Sequence, residues 1–419
     1  MPNENTDVLI VGGGVIGLAT ALALLEAGRS VCVIEATYVG AGASHGNCGT
    51  LTPSHAPPLA APGVVTEALR SLLHPDAPLY VSPKFDFQRW RWLLRFALRS
   101  NTRDWETSAR GKYALLTDSR ARIEDWVARY AMDCQFERSG EDYVFRSEHA
   151  MQHEMKEVPL LKALGLRPEV IDGPTYEAME PALRPGLVGA LRFDSDAMLR
   201  PDQWLSCLAA QVTRLGGRIL EHTPLQSLSK IRDGWQAQSG ETNFNAKDVV
   251  IATGAWSPLM SKMLDSPWLR GVIQPGKGYS ITYDPPEIVP KRPLVLRDCS
   301  VCVTAWEGGY RLGSTMEFSG YNTDLNEKRL NALTRGAHAF LHAPVGPRVQ
   351  ERWFGWRPMS VDDMPLLGPV PGKPNLWLAT GHGMMGVSMS AGTGQLMADL
   401  ITGAPPVIDP RPYAPARFV

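Results

Sequence analysis

The sequence lacks a dominant sign of charge: 42 Lys and Arg stand against 43 Asp and Glu, and no dense basic run offsets the formal charge of -1. Nucleic-acid binding, which leaves a basic footprint, is therefore disfavoured. Cysteine is scarce and scattered, at positions 32, 48, 134, 207, 299 and 302, and Cys299 and Cys302 have no second CxxC with which to close a zinc site. That usage suits a reduced, cytoplasmic setting better than a disulfide framework. The N-terminus has no basic stretch of the kind that opens a secretory signal. One long apolar run occurs, Val8 to Leu25, but it is framed by Asp7 and Glu26 and interrupted by Gly12, Gly13, Gly14 and Gly17. A strand, a glycine turn and a buried helix explain it better than a membrane span. Internal repeats and low-complexity tails are absent as well, and 419 residues suffice for two or three domains.

Along the chain, Asp7–Val11 reads as a strand, Val15–Ala27 as a helix stopped by Gly28, and Ser30–Ile34 as a second strand. Val39 to Gly63 is dominated by Gly, Ser, Ala and Pro, and its four prolines from Pro53 to Pro62 exclude a central strand. Amphipathic patterning predicts helices over Asp86–Leu98 and Thr117–Met132, and a third over Pro201–Leu215 with Gly216-Gly217 as its stop. Strands are expected at Arg218–Glu221 and Asp248–Ala252, an antiparallel sheet between Val272 and Leu312, and a strand at Leu376–Thr380. A glycine turn, Gly381–Gly386, a helix over Val387–Ile401 and a proline-rich coil complete the chain.

The most informative motif is Gly12-x-Gly14-x-x-Gly17, placed between the first strand and the first helix, with Glu35 closing the second strand. In a dinucleotide site, the first glycine permits the tight turn and the second lets backbone approach a pyrophosphate. The third lets helix pack on strand, and the distal acid meets a ribose hydroxyl. The motif points to a dinucleotide without choosing between FAD and NAD.

Four further blocks follow in order: Gly40-Ala-Gly42-Ala-Ser44-x-x-Asn47-x-Gly49, Ala252-Thr-Gly254-Ala-Trp256, Gly355-Trp-Arg357-Pro and Gly381-His-Gly383-x-x-Gly386. With the first motif, and with Pro53-Ser54 through Ala61-Pro62-Gly63, they make the chain resemble the flavoenzymes called D-amino acid oxidases and dehydrogenases. The likeness is strongest to the bacterial D-amino acid dehydrogenase small subunit, and it runs from Asp7 to about Thr402. It implies noncovalent FAD in a doubly wound α/β domain, interleaved with a substrate domain that contains an antiparallel sheet. The expected boundaries are 1–85, 185–258 and 365–419 for the FAD domain, and 86–184 and 259–364 for the substrate domain. Gly12, Gly14, Val15, Ile16, Gly17, Glu35 and Ala36 would then hold the adenine end, where Leu225 meets the adenine. Ala43, Ser44, Asn47, Cys48, Gly49, Thr50 and Leu51 would follow the pyrophosphate, ribityl chain and ring, with Thr253, Gly254 and Trp256 beside them. Gly383, Met384, Met385, Gly386, Val387 and Ser388 would touch the flavin pyrimidine, where N–H groups of a helix start stabilise negative charge on the reduced ring.

For substrate, the resemblance puts Arg357 on the amino acid carboxylate, a two-pronged contact suited to guanidinium geometry, with Tyr279, His55 and Thr315 as further candidates. His55 departs from the aromatic or small residue expected near Pro53-Ser54. The implied reaction is oxidative deamination of a D-amino acid, or oxidation of a cyclic one such as D-proline or a hydroxyproline, with oxygen, quinone or another carrier as electron acceptor. The alternatives are oxidation of N-methyl or other secondary amino acids, an NAD-linked dehydrogenase and a non-catalytic binder. Several other patterns carry less. Gly42-Ala-Ser44-His-Gly46 matches a hydrolase nucleophile elbow but leads into coil, not helix. His149/His153 and His338/His342 have metal-ligand spacing without the intervening Glu, so no metal is expected. His45 and Cys48 are the residues placed to link flavin covalently. Phe87–Leu98, aromatic and arginine-rich, suits either packing between domains or peripheral contact with an anionic membrane at the inner face of the cell.

Overall fold

The computed structural model describes residues 3–63 and 79–419, so part of the expected 1–85 domain segment lies outside the described residues. Its first sheet has eight strands. Asn3–Val11 is central and pairs in parallel with Val31–Ile34 on one side and Thr242–Ile251 on the other. Thr242–Ile251 in turn pairs in parallel with Leu376–Thr380. Val8, Leu9 and Ile10 are fully buried, as expected for a parallel strand covered on both faces. Register brings Val11, Ile34 and Ile251 to one edge, and three glycine-containing turns leave from that edge.

The helix Val15–Glu26 is apolar nearly all round, which a helix buried on every side requires. It packs against Ser390–Thr402 so closely that a methyl added at Gly394 would sit 2.4 Å from the Ala19 carbonyl oxygen. This last helix begins at Ser390, not at Val387 as expected; residues 384–389 form a turn instead. The hairpin Ser227–Ile231 and Gly234–Ser239 was not anticipated, although Asp233-Gly234 is a hairpin turn signal and Gly234 has φ +146°.

A second sheet of ten strands is organised around Ile273–Tyr283, every residue of which is buried. Its longest partner, antiparallel, is Val349–Ser360. That strand escaped the sequence reading because Gly355, Pro358 and several charged residues break its alternation. Pairing resolves the conflict in part, since Pro358 stands opposite Pro275 and neither has an N–H to lose.

The expected helix at Thr117 starts at Thr102, with the Asn101 side chain accepting from the Asp104 N–H. Gly111 inside it leaves room for Met364, whose Cε would lie 2.4 Å from an added methyl. The helix Phe87–Arg99 is packed and exposed at once. Trp92 is buried and donates to the Val272 carbonyl, and Arg95 donates to that of Gly271, while Phe87, Trp90, Leu94 and Leu98 face outward. Among the described residues no helix is long and apolar enough to cross a membrane.

Candidate active site

A cavity of about 650 Å³ opens where the parallel strands end and runs to the ten-stranded sheet. This is the crevice at the carboxyl ends of strands where α/β sheets bind ligands. At its first end Gly12, Gly14, Val15 and Ile16 line the wall. Gly12 has φ +117°, and a methyl there would come 2.5 Å from the Ala252 carbonyl oxygen. Gly17 is outside the wall; an added methyl would meet the Gly12 carbonyl oxygen at 1.9 Å, so it acts by letting the helix approach the turn. The helix has no side-chain cap hydrogen bond at Gly14 and no acid in its first turn. The Ser44 hydroxyl accepts the Val15 N–H at 3.2 Å, which gives that serine a role at a helix start and not in a nucleophile elbow. The Glu35 carboxylate accepts from the Gly13 N–H at 2.7 Å and the Thr37 N–H at 3.0 Å, and it lines the cavity with Ala36 and Leu225.

These features fit the FAD that the resemblance implies. A backbone cradle stripped of side chains adjoins a helix N-terminus with no acid in its first turn, which favours a pyrophosphate. The wall continues through Ala43, Ser44, Asn47, Cys48 and Thr50, then Thr253, Gly254 and Trp256, to the turn Gly383 to Ser388. Gly49 and Leu51 stand behind it. The Gly49 N–H donates to Asn47 Oδ1 at 2.7 Å, and Leu51 is fully buried in the hydrophobic core. Arg311, itself buried, donates to the carbonyls of His45 and Asn47 and so holds this loop against the second sheet. His45 turns away to Glu351, at 3.0 Å, and is not part of the cavity wall.

At the other end Arg357, Tyr279 and His55 line the wall. Arg357 comes from the Val349–Ser360 strand, and its guanidinium lies across Gly278, where a methyl would fall 2.3 Å from Cζ. Its Nη1 donates to the Thr315 carbonyl at 2.5 Å. Thr315 therefore contributes main chain; its side chain is buried behind the wall. Among the described residues no carboxylate pairs with Arg357, and burial lowers its pKa. A half-buried guanidinium in a cavity wall, with no carboxylate partner among the described residues, suits an anionic ligand.

The Tyr279 hydroxyl donates to Glu317 at 3.1 Å. His55 Nδ1 is 2.9 Å from the Thr52 hydroxyl, and its Nε2 is 3.5 Å from the fully buried Glu141. Burial, together with Arg297 and Lys112, pushes the His55 pKa down to about 3 and keeps the ring neutral. Burial and the neighbouring Asp196 hold Glu141 above the usual carboxylate range.

Residues that sequence reasoning missed include Trp353, Trp356, Cys302 and His382, all in the wall. Trp356 stands inside the Gly-Trp-Arg-Pro block and meets Trp256 edge-on at 5.5 Å, so the motif itself carried that signal. Trp353 sits where Gly46 and Gly355 have no side chains. The His149 and His153 pair lies on one helix, but His342 lies beyond the end of the helix that carries His338. Among the described residues no group of three or more His, Cys, Asp or Glu could hold a metal.

Comparison with known proteins agrees with this geometry. The family model described as FAD dependent oxidoreductase matches residues 7–400. A D-amino acid dehydrogenase of Agrobacterium fabrum is 32% identical over 98% of this chain and 99% of its own. One of Granulibacter bethesdensis is 30% identical over 98% and 99%. Among solved structures, glycine oxidase from Geobacillus kaustophilus superposes with a TM-score of 0.77 at 22% identity, over 99% of this chain and 100% of that one.

Proposed function

The chain belongs to the FAD-dependent oxidoreductase family, and from that premise we propose that it oxidises D-amino acids at the bond between Cα and nitrogen. Arg357 carries this reading, as a half-buried guanidinium that has no carboxylate partner among the described residues and lines the far end of a cavity whose other end is built for a dinucleotide. The curated relatives named D-amino acid dehydrogenase supply the stereochemical class.

Bound FAD, held noncovalently, supplies the hydride acceptor. Arg357 grips the substrate carboxylate with two parallel N–H groups and so fixes the position of Cα. Its hold on the Thr315 carbonyl and its seat over Gly278 keep the guanidinium from swinging out. Met384, Met385, Trp356 and the neutral His55 surround the rest of the cavity with little charge. Such surroundings favour the uncharged amine over the ammonium, which the loss of hydride from Cα requires. Tyr279 has its hydroxyl committed to Glu317, so it shapes the wall and does not move a proton. The imino acid product is released and hydrolysed by water to a keto acid and ammonia.

The electron acceptor is oxygen or a quinone-type carrier. For a quinone, the outward Phe87, Trp90, Leu94 and Leu98, with Arg91 exposed among them, support peripheral contact with an anionic bilayer. Co-sedimentation with anionic but not neutral vesicles tests that contact. The substrate reading is tested by anaerobic titration of the yellow holoenzyme with D- and L-amino acids, glycine, D-proline and N-methyl amino acids. Bleaching by D-amino acids supports it, and bleaching by L- or N-methyl compounds alone contradicts it.

A further inference from the structure

Cys48 and Cys302 are distant in sequence yet share one part of the cavity wall. Sheet register explains how. Cys302 stands directly opposite Gly313 where Val301–Trp306 and Gly309–Gly313 pair antiparallel, and directly opposed residues project to the same face. Gly313 has no side chain, and the Cys48 sulfur fills that place: a methyl added at Gly313 would come 2.5 Å from Cys48 Sγ. Cys48 thus occupies the cross-strand position beside Cys302. The remaining cysteines, at 32, 134, 207 and 299, are outside the cavity wall.

From this juxtaposition we propose that Cys48 and Cys302 form a modification site for small hydroperoxides, closing to a disulfide inside the cavity. The Cys48 thiolate attacks one peroxide oxygen and the O–O bond breaks. Sulfur is oxidised by two electrons to a sulfenic acid, and the departing hydroxide takes a proton to leave as water. The Cys302 sulfur then attacks the sulfenic sulfur; the S–S bond forms, the S–O bond breaks, and a second water leaves with the Cys302 proton. Two thiols and one hydrogen peroxide give one disulfide and two waters.

The surroundings divide the roles. The Cys302 S–H, with Arg311 and Arg357 nearby, lowers the Cys48 pKa, while Cys48 and burial raise that of Cys302. Cys48 is also partly exposed in the cavity wall whereas Cys302 is buried, so Cys48 is the attacking sulfur and Cys302 the resolving one. Neither sulfur takes part in amino acid oxidation as described above, so the site stands whatever the substrate proves to be.

The test uses reduced, FAD-loaded enzyme treated with hydrogen peroxide, alkylated, and digested without reductant for mass spectrometry. The free thiol count should fall by two, the Cys48 and Cys302 peptides should appear joined, and dithiothreitol should separate them. In Cys302→Ser the oxidation should stop at a dimedone-trapped sulfenic acid on Cys48; in Cys48→Ser, Cys302 should stay reduced. Three results would each overturn the proposal: no joined peptides in the folded wild type, equal thiol loss in Cys48→Ser, or a flavin attached to the Cys48 peptide.

Discussion

The dinucleotide end of the cavity is made of backbone, at glycine turns where parallel strands stop, whereas the opposite end is made of side chains that a separate antiparallel sheet delivers. The first end works through side chains that are missing, at Gly12, Gly14 and Gly17. The second works through a charge, Arg357, that is half-buried in the wall, bonded to the Thr315 carbonyl and without a carboxylate partner among the described residues, so that a ligand's carboxylate would complete it. One end is a matter of shape and tolerates no added volume at Gly12 or Gly17. The other is a matter of electrostatics and tolerates changes of shape that leave the guanidinium in place.

This contrast can be broken most severely at the backbone end. Gly17→Val forces atoms against the Gly12 carbonyl oxygen, which an added methyl alone would meet at 1.9 Å. A loss above about 4 kcal/mol is expected, with no flavin band in the purified protein and a collapsed urea midpoint. Arg357→Ala should act on the other end alone. FAD stays bound, while kcat/KM for carboxylate substrates falls about 100- to 1000-fold, roughly 3 to 4 kcal/mol; steady-state kinetics at matched FAD content check this. Gly278→Ala shifts the guanidinium without removing it, so a loss of about tenfold in kcat/KM, on the order of 1 to 2 kcal/mol, is expected with the spectrum unchanged.

The smallest effect concerns His382, in the turn that joins the two ends. It is buried, lies 2.9 Å from the Thr393 hydroxyl, and has its pKa pushed down to about 3 by burial from an ordinary 6.5. Between those values the unfolded chain binds a proton that the folded one refuses, so stability falls as pH drops below 6.5. His382→Gln should remove up to about 1.4 kcal/mol per pH unit of that dependence. Urea midpoints at pH 7 and pH 5.5 for both proteins measure it.

The same contrast governs what could be read in advance. The Gly12 to Glu35 unit was legible because its turn, helix and acid are fixed by short-range spacing, and the structure places Gly12, Gly14 and Glu35 in the wall. The strand Val349–Ser360 was not legible. Its conformation depends on eleven paired positions with Ile273–Tyr283, and its own residues do not alternate. Arg357 was visible through its motif, but its unpaired state and its seat on Gly278 are properties of strand register. The pairing of Cys48 with Cys302 had no local signature at all, since it depends on Gly313 standing opposite Cys302. Thr315 and Leu51 were assigned to the wall because their neighbours are there. Burial turns both side chains away from the cavity.

The central claim is that a backbone site for FAD is joined to a carboxylate site made by one guanidinium. It is tested most directly by comparing a D-amino acid with its carboxamide in wild type and in Arg357→Ala, reading flavin reduction under anaerobic conditions at equal FAD content. Wild type should favour the acid by 100-fold or more, and the variant should lose nearly all of that preference while keeping its flavin. Undiminished preference for the acid in Arg357→Ala would contradict the account.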